Sequence, residues 1–186
     1  MEKKRVLLHV CCAACSVHVA ELLSREYDIA LYFNNPQIFP ATEHAKRLIE
    51  AKKVGKMLGL EVIEGNRDRD SWVLYIEGLE QEPEGGKRCA KCFEFNLEDT
   101  AKFAKHEGFD AFTTTLTVSP HKNAEMINKI GKIIGEKHGI EFLEQDFKKD
   151  GGFLESCKKC HEHDIYRQDY CGCEFSLNKS IASPKE

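Results

Sequence analysis

No apolar run in this sequence approaches the roughly 20 residues that a membrane-spanning helix needs, and the apolar stretch after "MEKKR" is too short and lacks a small-residue cleavage site. The expectation is a cytoplasmic protein with no membrane partner. There is no G-x-G-x-x-G and no G-x-x-x-x-G-K-[ST], so the chain offers no recognised cradle for a dinucleotide or a triphosphate. Positive charge is not in excess either. A net charge of −4 argues against general nucleic-acid affinity, although Lys87-Arg88, His121-Lys122, Lys148-Lys149 and Lys158-Lys159 are local basic clusters. Linkers, repeats and shifts of composition are also absent, so the 186 residues are expected to form one α/β domain over 1–186. Nothing in the composition speaks to oligomeric state.

What the chain has is cysteine. Nine cysteines in a chain expected in a reducing compartment argue for metal or redox chemistry rather than a disulfide framework. They are grouped: Cys11, Cys12 and Cys15 in "LLHVCCAACS", then Cys89-x-x-Cys92, Cys157-x-x-Cys160 and Cys171-x-Cys173. A single buried cysteine is ordinarily a small hydrophobe. Four groups are poorly explained that way.

The hydrophobic pattern alternates between strand and helix. "RVLLHVCC" reads as a strand covered on both faces, followed by a helix over 15–26. A strand at 28–36, a long amphipathic helix at 41–60 and a short strand at 60–65 continue the alternation. "RDSWVLYIEGLEQ" reads as helix and 82–88 as a loop, after which Cys89 opens a helix reaching about His106. A β-branched strand over 109–119, a helix from Asn123 to His138, a strand "IEFLEQDF" and a helical then irregular cysteine-rich tail complete it. This order implies a doubly wound, mostly parallel sheet of Rossmann-like or HUP-like type with helices on both faces. Ligands of such sheets gather outside the carboxyl ends of the strands, where Cys11, Cys12, Cys15 and "TVSPHKN" fall.

Neighbouring strand residues point to opposite faces, so Cys11 and Cys12 share one centre only if the chain turns out of the sheet there. With Cys89 and Cys92, which open a helix whose dipole favours thiolate, they make four thiolates. Both zinc and a [4Fe-4S] cluster use such a set, and ligand count does not separate them. A vicinal pair at a strand end is a poor tetrahedral clip, which favours the cluster. Cys15, near a helix start, is either a further ligand, a redox thiol or a packing residue. A disulfide between Cys171 and Cys173 would close a tight ring that is easily reduced, which suits a relay; a second metal is the competing reading. Cys157 and Cys160, with His161 and His163 nearby, read as exposed residues of a surface helix, with zinc capture as a weaker option. Ser119, His121, Lys122 and Asn123 precede a helix start where a phosphate or polar ligand can bind, although a plain turn with an Asn cap explains them equally well. Arg167 and Gln168 are candidates to contact phosphate or a base edge, with Tyr166 and Tyr170 beside them to stack or pack.

Taken together, "LLHVCCAAC", "GGKRCAKCFEFNL", "FTTTLTVSPHKN", "FKKDGG" and "YRQDYCGC" resemble the cobalamin-independent epoxyqueuosine reductases of the QueH type, in order and over nearly the whole chain. Ala14 stands where the family pattern carries proline, a change to the turn but not to the thiols. The resemblance implies reductive removal of the epoxide oxygen of epoxyqueuosine at the tRNA wobble position, giving queuosine. It implies Cys11, Cys12, Cys89 and Cys92 as [4Fe-4S] ligands and Cys171 and Cys173 as a redox pair. The reaction needs two electrons and two protons, so the chain further requires an electron donor. It also needs either that dithiol or an extra mononuclear iron near Cys15, Cys171 and Cys173. His9, His121 and Asp169 are candidate proton donors by motif position. Cys157 and Cys160 match nothing in the family pattern. Three other functions compete: an iron–sulfur tRNA thiolase, whose Ser-Gly-Gly-x-Asp-Ser loop is absent here, a zinc-stabilised RNA-binding module without catalysis, and an electron carrier.

Overall fold

In the computed structural model, residues 3–177 are described, so the expected domain of 1–186 and the end of its tail run past this stretch on both sides. Five parallel strands form one sheet in the order β3-β2-β1-β4-β5. They are β1 (Arg5–His9), β2 (Asp28–Phe33), β3 (Val62–Glu64), β4 (Ala111–Thr114) and β5 (Glu141–Phe142). The helices are α1 (Ala13–Ser24), α2 (Ala41–Leu58), α3 (Arg69–Tyr75), α4 (Lys87–His106), α5 (Ala124–His138) and α6 (Gly152–Glu162). Strand order reverses between β1 and β4, which opens a crevice at their carboxyl ends.

The period of two along β1 divides the core. Val6, Leu8 and Val10 face a cluster that includes Val17, Ala20 and Leu23 of α1 and Ala51 and Val54 of α2. Leu7 faces the other cluster, with Leu97 and Ala101 of α4 and Ile127 and Ile134 of α5. Helices thus cover both faces, as the uninterrupted apolar strands demand. On the second face α5 lies so close to the sheet that Gly131 has no room for a Cβ beside the Phe142 ring.

Several expected elements are shorter than their patterns, the strands at 28–36 and 60–65 by a few residues at their ends and three others by more. The strand expected to 119 ends at Thr114, whose hydroxyl accepts from the Leu116 N–H at 3.1 Å and caps a 3-10 turn over Thr115–Val118. A local side-chain bond here outcompetes the sheet ladder despite the β-branched composition. The last strand keeps only Glu141 and Phe142, at the sheet edge. The helix expected beyond Arg69 stops at Tyr75.

Candidate metal centre

Leaving β1, the chain breaks its alternation at the point where chemistry begins. Cys11 and Cys12 both join the core cluster on the α4/α5 face, because β1 ends at His9 and the chain bends at Cys11 before Cys12 caps α1. The expected turn out of the sheet is therefore present. Cys15, in the first turn of α1, completes a triad whose sulfurs all lie within 4.8 Å of one another. Cys11 Sγ lies 3.8 Å from Cys12 Sγ. A single ion bound at about 2.3 Å by tetrahedral thiolates would space them similarly, so the triad fits a metal-binding group.

Electrostatics sharpen this reading. The Cys11 thiol sits well below the ordinary thiol range because Cys12 and Cys15 hydrogen-bond to its thiolate, against the cost of burial. The same bond to Cys11 pushes Cys12 up to about 12 and raises Cys15 well above its usual value. The arrangement favours a thiolate at Cys11 and disfavours one at Cys12 and Cys15. A bound cation reverses the bias at Cys12 and Cys15, since metals deprotonate the thiols they coordinate. Thr115 serves Cys11 twice, its hydroxyl donating to Sγ at 3.5 Å and accepting from the backbone N–H at 3.3 Å. Gln168 Nε2 donates to Cys12 Sγ at 2.9 Å.

A second thiol group forms beside the first. Cys89 and Cys92 lie in the opening turns of α4, where the Gly85 N–H donates to Cys89 Sγ at 3.2 Å. Burial raises both thiols, and the neighbouring charge of Cys171 raises them further. Cys173, buried with Trp72 and Ile76 against Cys92, is raised to about 11 by burial and then by Cys171 and Cys89. Cys89 also packs against the cluster that holds Cys11 and Cys12. The four thiols expected to share a cluster are thus divided, Cys11 and Cys12 with Cys15, and Cys89 and Cys92 with Cys171 and Cys173.

The loop of Cys171–Cys173 is held by Arg47, which sequence reading missed. Arg47 is 2% exposed and bridges Glu43 at 2.6 Å. It donates to the carbonyls of Cys171 at 3.0 Å and Tyr170 at 3.2 Å. The available signal was an arginine inside the buried stripe of α2, with His44, Ala51 and Val54. Gly172, at φ 128°, lies against this guanidinium, where an added Cβ would be 3.0 Å from Arg47 Nη1. Arg69 anchors the far side of the loop on Glu174 at 2.9 Å.

A cleft of about 670 Å³ opens over this centre. Cys15, Cys171, Ser119, His121, Lys122, Arg167 and Gln168 line it. Asn123 instead caps α5, accepting from the Met126 N–H at 3.0 Å, so the plain-turn reading holds there. Burial alone would lower the Lys122 ammonium pKa, but Cys171, Cys11, Cys15 and Cys12 around it raise it, so it stays charged among the thiols. Among the proton-donor candidates His121 and Asp169 line the cleft. His9 does not: both its ring nitrogens are engaged, with Thr114 Oγ1 at 2.9 Å and the Asn34 carbonyl at 3.3 Å, and burial lowers its pKa. Tyr170 lines the cleft and its hydroxyl donates to the Phe39 carbonyl at 2.5 Å, while Tyr166 packs beneath the Lys46 ammonium. Arg88 belongs to no basic face, being 2% exposed and donating to the Glu80 carbonyl at 2.9 Å.

Cys157 and Cys160 depart from expectation. Cys160 is 2% exposed, its thiol donating to the Ala14 carbonyl at 3.8 Å, because α6 packs its cysteine face onto α1. Both cysteines line the cleft. Among the described residues only Cys11, Cys12 and Cys15 form a metal-binding group, so zinc capture by Cys157, Cys160, His161 and His163 finds no support in the geometry.

A family model described as epoxyqueuosine reductase QueH matches residues 6–179. The chain belongs to this family. Among curated relatives named epoxyqueuosine reductase QueH, the Streptococcus pyogenes protein is 40% identical over 179 residues, 92% of this chain and 69% of its own. The Thermotoga maritima protein is 40% identical over 178 residues, 92% of this chain and 90% of its own. In fold, the chain is similar to the U34-tRNA thiolase NcsA of Methanococcus maripaludis, solved with its [4Fe-4S] cluster. That match has a TM-score of 0.60 at 11% identity, over 99% of this chain and 69% of that one. It is also similar to a predicted tRNA methyltransferase subunit from Methanocaldococcus jannaschii, with a TM-score of 0.57 at 12% identity over 84% and 74% of the two chains. The competing thiolase shares the architecture, while the family match sets this chain among the QueH reductases. No helix among the described residues is long and apolar enough to cross a membrane.

Proposed function

We propose that the chain reduces epoxyqueuosine in tRNA to queuosine, removing the epoxide oxygen as water. The observation that carries this reading is the convergence of two thiol groups on one cleft at the sheet's switch point, in a chain of the QueH family. An all-sulfur donor set, with Cys89 packed against the cluster of Cys11 and Cys12, suits an iron–sulfur centre. Cys11, Cys12, Cys89 and Cys92 would hold a [4Fe-4S] cluster, which when bound supplies electrons one at a time.

The chain's own residues account for the rest. Opening the epoxide to an alkene consumes two electrons and two protons, and the dithiol of Cys171 and Cys173 yields both when it closes to a disulfide. Cys15 keeps company with Cys11 and Cys12 rather than with Cys171 and Cys173, which favours the dithiol over an extra iron shared by Cys15, Cys171 and Cys173. Lys122, charged and half-buried at the cleft wall, is suited to attract an anionic or polar ligand and to offset thiolate charge. Arg167, exposed at the rim, supplies a cation for the tRNA backbone. His121 and Asp169 are the groups from which a proton can reach the departing oxygen. Arg47 positions Cys171 without touching substrate.

The test is anaerobic incubation of the iron-loaded protein with epoxyqueuosine-containing tRNA and dithionite, followed by nucleoside mass spectrometry. Conversion to a nucleoside lighter by one oxygen is expected. Unchanged epoxyqueuosine with a fully loaded protein would overturn the assignment.

A further inference from the structure

We propose that Cys157 and Cys160 are a second dithiol, through which a thiol reductant delivers an electron pair to the reaction centre. The proposal rests on the reductase reading above. Three observations carry it. Residues three apart lie on one face of a helix, and on α6 that face is turned into the cleft also lined by Cys15 and Cys171. The two thiols differ in access, Cys157 half-buried at the cleft wall and Cys160 buried behind it with its thiol on the Ala14 carbonyl, next to Cys15. Finally, metal binding does not account for them, since among the described residues they form no ligand group with their histidine neighbours.

Helix geometry makes the pair suited to transfer rather than to bracing. Cβ atoms at i and i+3 on an α-helix stand about 5–6 Å apart, whereas a disulfide needs about 3.5–4.5 Å. Closing Cys157 onto Cys160 therefore requires the turn of α6 between them to tighten toward 3-10 geometry. A bond formed under such strain is readily reduced. The accessible Cys157 is the attacking thiol. Burial raises Cys160 to about 11, which keeps it protonated and unreactive until a mixed disulfide forms beside it.

The exchange balances. After the Cys171–Cys173 dithiol has reduced the epoxide, it is a disulfide. The Cys157 thiolate attacks Cys171 Sγ, the Cys171–Cys173 bond breaks, and Cys173 leaves as thiolate and takes a proton. Cys160, losing its proton, attacks Cys157, releasing the Cys171 thiol and leaving a Cys157–Cys160 disulfide. An external dithiol reduces that bond and is itself oxidised to a disulfide. The net reaction is epoxide plus one external dithiol giving alkene, water and one external disulfide.

The experiment has two arms on the iron-loaded protein. In the first, the protein is titrated anaerobically with glutathione disulfide, alkylated and cut with trypsin, which cleaves after Lys158 and Lys159 and separates the two cysteines. Peptides 150–158 and 160–167 are expected to remain joined by a disulfide at low oxidant and to separate on adding dithiothreitol. In the second, Cys157→Ser is compared with the unaltered chain using dithiothreitol or dithionite as sole reductant. The ratio of dithiothreitol-driven to dithionite-driven turnover should fall about tenfold in the variant. Peptides that stay separate through the titration, or an unchanged ratio, would overturn the relay. Absence of turnover with dithionite in the unaltered chain would instead strike the reductase reading, and the peptide arm still decides whether the dithiol forms.

Discussion

The two thiol groups are built in opposite ways. Cys11, Cys12 and Cys15 are supplied by one short stretch where β1 hands over to α1, and the bend at Cys11 brings them together. Cys89, Cys92, Cys171 and Cys173 come from distant segments, and buried or half-buried cations assemble them. Arg47 holds the carbonyls of Tyr170 and Cys171, Arg69 holds Glu174, and Arg88 lies over the Phe175 ring. The first group is a property of local chain geometry, the second of the folded whole. Damage to packing should therefore reach the second group first.

The comparison breaks most sharply if one cofactor spans both groups. Cys12→Ser and Cys92→Ser are each expected to lose the iron and to lower turnover by at least about 100-fold, read by metal analysis and nucleoside mass spectrometry. Retention of iron in one of them would make the groups independent. Arg47→Met removes a buried partner of Glu43 and the donor to two loop carbonyls, and should cost about 3 kcal/mol in chemical denaturation. Gly172→Ala forces a side chain into a positive-φ position against Arg47, with an expected cost of about 1–3 kcal/mol and faster alkylation of Cys171, leaving Cys11 and Cys12 protected. The effect that is smallest at neutral pH, and grows only in acid, is a pH dependence. Burial, with Arg67 and Arg47 nearby, lowers His44 to about 4. The unfolded chain binds this proton near pH 6.5, so stability present above that pH is lost as pH falls toward 4. His44→Gln should flatten that part of the stability profile.

Legibility in the sequence follows the same division. The β/α alternation is readable because parallel strands buried on both faces carry continuous apolar runs, and helix α5 because Asn123 caps it. The triad is readable as a cluster at a strand end. The end of β4 is not, since the Thr114 hydroxyl bond that stops it leaves no mark in a β-branched pattern. Nor is the union of Cys89 and Cys92 with Cys171 and Cys173, which depends on Arg47, a charge set in a buried stripe of α2. The burial of Cys160 is hidden for a related reason: the lysines beside it mark a surface helix, and only the packing of α6 on α1 shows which face is covered.

The central claim is that these thiols hold an iron–sulfur centre serving a reduction. Its most direct test is anaerobic absorption and EPR spectroscopy of the purified protein before and after dithionite, with iron, sulfide and zinc quantified. The account predicts about four irons with matching sulfide per chain and a signal that appears on reduction. Zinc without sulfide, from a strictly anaerobic preparation, would contradict it.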